Sequence, residues 1–310
     1  MIANEADIHR DRVWVVPNDG WDERILICRC GTLVDVFVVV TTHYVVLVDT
    51  LIGPDTVEQL LVIARPYLRD GRTLLTIDTH ADWDHCLGNS AFAGAAATDP
   101  APIIATRACE ARFAAGEVAA RLARLRVDEP ERFAAVEPVP PTLLFDERLR
   151  IDGGDLTLEL FRAPGHTADH LAILIPEIAT LLVGDAAERP FPFAHSLAAL
   201  PELRATLGVL DSLGARTILA CHAPPEDEPT LLRDNSTYFD TLEEHCRQAL
   251  AGGRASAATP AEVLEQAIGW PIAAAIGGDP AELSNPAMYR QGHRTHIRLM
   301  LEWLLNSTTY

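Results

Sequence analysis

The segment Thr79-His80-Ala81-Asp82-Trp83-Asp84-His85 sets two imidazoles and two carboxylates within the six positions from His80 to His85. An apolar, strand-like run, Thr73-Leu74-Leu75-Thr76-Ile77, leads into it, and Cys86-Leu87-Gly88-Asn89 follows as a turn or helix start. Burying four such groups without partners would cost on the order of several kcal/mol. Nitrogen and oxygen donors crowded onto a loop at a strand end are what a transition-metal site requires. A solvated acidic loop is the plain alternative for a single His-x-Asp.

Three more donors occur in the same setting. Residues 156–161 lead into Ala163-Pro164-Gly165-His166-Thr167, residues 180–183 into Gly184-Asp185, and residues 217–220 into Cys221-His222. One polar donor at the end of each of several strands lets a rigid scaffold converge side chains on one point. A lone histidine at a strand end is usually an ordinary surface or core residue. The joint pattern is what points to metal.

His80-x-Asp82-x-Asp84-His85, Gly165-His166, Gly184-Asp185 and His222 together resemble the metallo-β-lactamase superfamily in its binuclear metallohydrolase form. Asp49, in Val46-Leu47-Val48-Asp49-Thr50, matches that family's early acidic motif, and the motifs occur in family order over roughly residues 12–225. The resemblance implies an α/β (α+β) fold, a four-layer αβ/βα sandwich with two divalent metal ions at one edge. It implies that His80, Asp82 and His166 hold one ion, that Asp84, His85 and His222 hold the other, and that Asp185 bridges them. Asp49 would then orient a ligand histidine, and His170, a frequent second histidine of the motif, would hydrogen-bond rather than bind metal. It further implies a metal-bridging hydroxide attacking an ester, thioester or lactone carbonyl, with Asp84 as the proton-handling catalytic residue.

One departure from the family pattern matters. The usual residue at position 82 is histidine, and this chain has Asp82. A carboxylate removes one unit of positive charge from the cluster and hardens the first site. Zinc is the first expectation, with iron or manganese favoured by Asp82. The flavodiiron branch carries a carboxylate at the corresponding place, which motivates a di-iron redox or oxygen-binding protein as the alternative function. A metal-free binding module is the third reading, disfavoured because every ligand position holds a competent donor.

At 310 residues and 48% hydrophobic content, the chain suits one elaborated domain better than two equal ones. We expect a metallo-β-lactamase-like domain over residues 1–225, with a helical insertion at about 106–141. Residues 226–310 are expected to form a mostly helical extension, broken near Gly252-Gly253 and again over 277–286. Whether that extension shapes the substrate pocket or serves as a packing or dimer surface is left open by the sequence.

A formal charge of −19 argues against nucleic acid or an anionic membrane as partner, because phosphate contacts need clustered basic residues. A small-molecule substrate is expected, and a homodimer is compatible with such a chain. All 25 basic residues are arginine. The polar, acidic start Met1-Ile2-Ala3-Asn4-Glu5-Ala6-Asp7 does not read as a signal peptide, and no apolar run approaches ~18 residues. Six cysteines at 28, 30, 86, 109, 221 and 246 lack zinc-ribbon spacing, so a reduced, cytoplasmic protein is expected. Cys86 and Cys221, beside ligand candidates, read as small buried spacers. The loop 186–195 offers Glu188, Arg189, Phe191, Phe193 and His195 as pocket residues. Tyr289-Arg290-Gln291-Gly292-His293 and His296 offer a second group, for which a solvated helix face is the common explanation.

Overall fold

The computed structural model describes residues 10–224, 230–256 and 258–307. The amino-terminal segment 1–7, discussed above, lies outside the described residues. The chain divides into two compact units. The first comprises Met1–Ala163, Asp169–Gly184 and Ala215–Glu228, and the second Pro164–Ala168, Asp185–Gly214 and Pro229–Tyr310.

Two sheets build the first unit. The larger runs in chain order: β1 (Val13–Val15), β2 (Ile25–Cys30), β3 (Val34–Val40), β4 (Tyr44–Val48), β5 (Thr73–Ile77), β6 (Ile103–Thr106) and β7 (Leu143–Phe145). Its first half is antiparallel, and β4 to β7 pair in parallel. Parallel neighbours need a crossover, supplied between β4 and β5 by helix α1 (Pro54–Ala64). Proline opens α1 with Asp55 in its first turn, and Pro66 stops it short, so residues 65–67 tighten into a 3-10 turn. The run of valines in β3 is buried on both faces apart from its last residue. Asp35 within it is matched by Arg29 across the register, two N–H donors 2.7 Å from its oxygens.

The smaller sheet has the order β12 (Thr217–Ala220), β11 (Thr180–Gly184), β10 (Leu171–Ile175), β9 (Thr157–Arg162) and β8 (Arg148–Asp152). Both sheets contribute to one apolar core, with Val36, Leu47 and Ile77 from one and Leu158, Ile173 and Leu182 from the other. At one edge the sheets are also tied by backbone hydrogen bonds. Asp35 N–H donates to Cys221 C=O (2.8 Å), and Leu171 N–H donates to Thr79 C=O (2.9 Å). Strand ends from the two sheets thus come together where the sequence places its donors.

Helices α2 (Trp83–Cys86), α3 (Arg107–Ala114), α4 (Glu117–Asp128) and α5 (Pro130–Phe133) complete the first unit. The helical insertion is shorter than expected and is interrupted at Gly116 and Pro130, and beyond Phe133 a turn at 134–135 and irregular chain lead into β7. Strands β6 and β7 were not foreseen from sequence. Val118, Leu122, Leu125 and Phe133 of the insertion pack on Ala81, Cys86 and Leu87, around the His80–His85 loop.

The second unit is helical: α6 (Ala199–Ser212), α7 (Leu231–Ala251), α8 (Leu264–Ile268), α9 (Ile272–Ile276) and α10 (Pro286–Ser307). Helix α7 packs against both α6 and α10. None of the described helices is long and apolar enough to cross a membrane.

Candidate metal centre

Parallel pairing of Val48 with Ile77 sets the chain past β4 beside the chain past β5. This puts Asp49, buried and in the left-handed backbone region at φ 70°, against the Thr79–His80 turn. Asp49 Oδ1 accepts from Thr79 N–H (2.7 Å), and both its oxygens lie 2.9 Å from Thr79 Oγ1. Asp49 Oδ2 accepts from His85 Nδ1 at 2.8 Å. A carboxylate only accepts, so His85 carries its proton on Nδ1 and presents an Nε2 lone pair. The Thr79 hydroxyl spends its single proton on Asp49, so its oxygen accepts from His80 Nδ1 at 3.0 Å. One carboxylate therefore fixes the tautomers of two histidines.

Around these two Nε2 atoms stand further donors of the first unit. His80 Nε2 is 3.7 Å from Asp82 Oδ2, His85 Nε2 is 3.8 Å from Asp84 Oδ1, and His222 Nε2 is 3.5 Å from Asp84 Oδ2. Ligand atoms bound at about 2.1 Å in a tetrahedron stand roughly 3.4 Å apart. Asp84, His85 and His222 form one group with the spacing of a metal site, and His80 and Asp82 stand beside it. Neutral imidazoles with their Nε2 lone pairs turned toward carboxylates suit divalent cations, so the donor set fits the ions that the resemblance implies.

The surrounding residues hold this loop from several sides. Asp169 Oδ2 accepts from Ala81 N–H (2.8 Å), the peptide between two ligand candidates. Arg112 of α3 donates to Asp82 Oδ1 (2.8 Å) and Asp169 Oδ1 (3.0 Å). The His170 ring is buried 5.0 Å from that of His80 and lies under Gly184, where a Cβ would come within 2.6 Å of His170 Nε2. Gly184, at φ 53°, is thus required twice over. Asp78, fully buried, accepts from Asn89 Nδ2 (2.7 Å), and burial above all, with nearby Asp49, pushes its carboxyl well above the usual range. All six cysteines are buried and none forms a disulfide. Cys86 is pushed up by burial, and Cys221 Sγ is 3.8 Å from Asp49 Oδ2.

His166 and Asp185 belong to the second unit. His166 Nε2 is 3.5 Å from Asp185 Oδ2, and its Nδ1 is 3.7 Å from Glu188 Oε1. These three residues, all buried, form another group with metal-ligand spacing. Glu188 is held by Asn235, whose side chain accepts from Glu188 N–H (3.0 Å) and donates to its C=O (2.9 Å). The sequence suggested Glu188 as a pocket residue without separating it from its neighbours, and nothing local marks Asn235 or Arg112.

The expectation of a solvated face at His293 and His296 is corrected: both are fully buried. Ala194 N–H donates to His296 Nε2 (3.0 Å), so the His296 proton sits on Nδ1 and goes to Tyr238 Oη (3.0 Å). Tyr238 Oη–H then donates to His293 Nδ1 (3.0 Å), and His293 Nε2–H to Trp270 C=O (3.0 Å). Both rings are neutral: burial lowers His293 and brings His296 to about 3. This relay pins loop 186–195 to α7 and α10. Phe193 of that loop stacks on Tyr289 and His195, and His195 stands edge-on to His166, 5.4 Å between rings.

Comparison with known proteins bears on the same residues. The sequence model of the metallo-beta-lactamase superfamily matches residues 31–222. A search of curated proteins found no match. Among solved structures, a metallo-beta-lactamase from Pontibacter korlensis is 18% identical, with 73% of this chain and 98% of that chain covered and a TM-score of 0.54. A metallo-beta-lactamase family protein from Thermus thermophilus is 21% identical, with 96% and 94% covered and a TM-score of 0.57. A stereoselective inverting sec-alkylsulfatase from Pseudomonas sp. is 16% identical, with 93% of this chain but 50% of that chain covered and a TM-score of 0.61. At these identities the likeness is one of fold. The family match spans more than half of the sequence, and the chain belongs to the metallo-beta-lactamase superfamily.

Proposed function

We propose that this protein is a metal-dependent hydrolase acting on carboxylic esters, thioesters or lactones. In this reading His80, Asp82 and His166 hold one ion, Asp84, His85 and His222 the other, and Asp185 bridges. The observation that carries it is the Asp84, His85 and His222 group, with His85 locked in the metal-binding tautomer by Asp49. Bound ions would supply Lewis acidity and a water acidified toward neutrality. The chain's own residues do the rest. Asp49 and Thr79 keep both Nε2 lone pairs aimed, and Asp84, between two imidazoles, accepts a proton and returns it to the leaving group.

Elemental analysis of protein purified without added metal, followed by a panel of carboxylic esters, thioesters, lactones and secondary alkyl sulfates, tests this directly. Two equivalents of divalent metal and turnover of a carboxylic substrate are expected. A metal-free protein, or turnover of the sulfate esters alone, would contradict it. Asp84→Asn is expected to lower kcat/KM about 10²–10⁴-fold.

Asp82 favours one second reading, a di-iron redox or oxygen-binding protein. Two equivalents of iron with an absorption spectrum that changes between anaerobic and aerobic buffer, and no turnover across the panel, would support it over hydrolysis.

A further inference from the structure

Resting on the metal reading above, we propose that Arg112, carried in by the helical insertion, is the counter-charge that makes a carboxylate at position 82 workable as a ligand. The two oxygens of Asp82 face different ways. Oδ1 accepts from Arg112 Nη2 at 2.8 Å, and Oδ2 lies 3.7 Å from His80 Nε2, on the side where the donors gather. Arg112 is itself fixed, its Nη1 on Asp169 at 3.0 Å and its Nε on Glu117 at 3.1 Å. Asp169 in turn holds the Ala81 N–H, so one arginine and one aspartate brace the stretch from His80 to Asp82.

The charges account for the pairing. Exchanging histidine for aspartate removes one unit of positive charge from the cluster, and a guanidinium bonded to that aspartate, shared with Asp169 and Glu117, offsets part of that loss. Arginine suits the task because its planar guanidinium reaches three carboxylates at once and keeps its charge when part-buried. Holding Oδ1 also steers Asp82 toward binding an ion through Oδ2 alone, which is how a histidine would bind. Position 82 and position 112 should therefore tolerate exchange only as a pair.

The test is a double-mutant cycle on metal affinity. Wild type, Asp82→His, Arg112→Met, Arg112→Lys and Asp82→His/Arg112→Met are stripped of metal and titrated with zinc and cobalt(II) against a chromophoric chelator. Cobalt absorption reports the ligand set, and circular dichroism checks the fold. Asp82→His alone leaves the arginine facing a neutral imidazole and a cation. It is expected to bind its first-site ion at least tenfold more weakly than Asp82→His/Arg112→Met. Arg112→Lys, which keeps the charge, should leave the wild-type cobalt spectrum in place, whereas Arg112→Met should change it. If Asp82→His binds both zinc ions as tightly as the double variant, Arg112 is not the compensating charge and the proposal fails while the metal reading stands. A wild-type protein that takes up no divalent ion overturns both.

Discussion

Asp49 does more than any other residue of the first unit to define the donor set, although it is itself fully buried. It takes hydrogen bonds from a peptide N–H, a hydroxyl and an imidazole, and it sits in a backbone region that aspartate tolerates better than most residues. Asparagine has nearly the same shape but offers one acceptor oxygen where aspartate offers two. In Asp49→Asn, the Thr79 hydroxyl and the His85 ring compete for that oxygen, and one histidine is released to rotate. The expected result is a loss of about 10–100-fold in metal affinity with the fold retained, read by chelator competition and circular dichroism. Unchanged affinity would mean that the rings are aimed by packing alone.

Among the elements, loop 186–195 and helix α10 are fitted with no room to spare. A Cβ on Gly292 would come within 2.2 Å of Phe193 Cε1. Glycine in the middle of a long helix costs about 1 kcal/mol relative to alanine, so its presence there is explained by the aromatic ring lying on it. Gly292→Ala is expected to lower stability by about 1–3 kcal/mol despite the better helix former. Adding Phe193→Ala should make the second change cost less than it does alone, because the clash is then removed. Urea midpoints of the two single variants and the double variant decide it. The same contact shows where sequence reading stops. Apolar strand runs such as β5 and β12 were legible to the residue, and a donor at each strand end was legible as a motif. Strands β6 and β7 hold four and three residues, too few for a period, and exist because β5 offers a parallel edge to β6 and β6 one to β7. The supporting polar residues were illegible for a different reason. Arg112 reaches Asp82 across 30 positions, Asn235 reaches Glu188 across 47, and Asp169 reaches Ala81 across 88. Nothing local separates those residues from ordinary surface polar ones.

For the whole molecule, the buried neutral histidines make stability depend on pH in a defined window. His296 titrates at about 3 in the folded protein, held down by burial and then by its neighbours His293 and His195, against about 6.5 when unfolded. Between those values the unfolded chain binds a proton that the folded one refuses, so stability rises with pH across the window. The contribution is complete above about pH 6.5 and is lost as pH falls toward 3, at about 1.4 kcal/mol per unit. His293, lowered by the same burial, adds to the slope. Glu243 and Glu265 act lower down: both lie below the usual range of about 4.5, because arginine donors, and for Glu265 a backbone N–H, outweigh the opposing effect of burial. The interval from pH 6.5 to 4.5 therefore holds His296 and His293 together with buried Asp78, whose raised carboxyl acts in the opposite sense, so the share of His296 is read from the difference between variant and wild type. In metal-free protein, so that ion binding adds nothing to the pH dependence, His296→Gln should be less stable than wild type at pH 7. It should also lose about one proton's worth of slope between pH 6.5 and 4.5. Urea unfolding at half-unit pH steps measures both, and parallel curves for the two proteins would show that the Tyr238 relay does not hold His296 neutral.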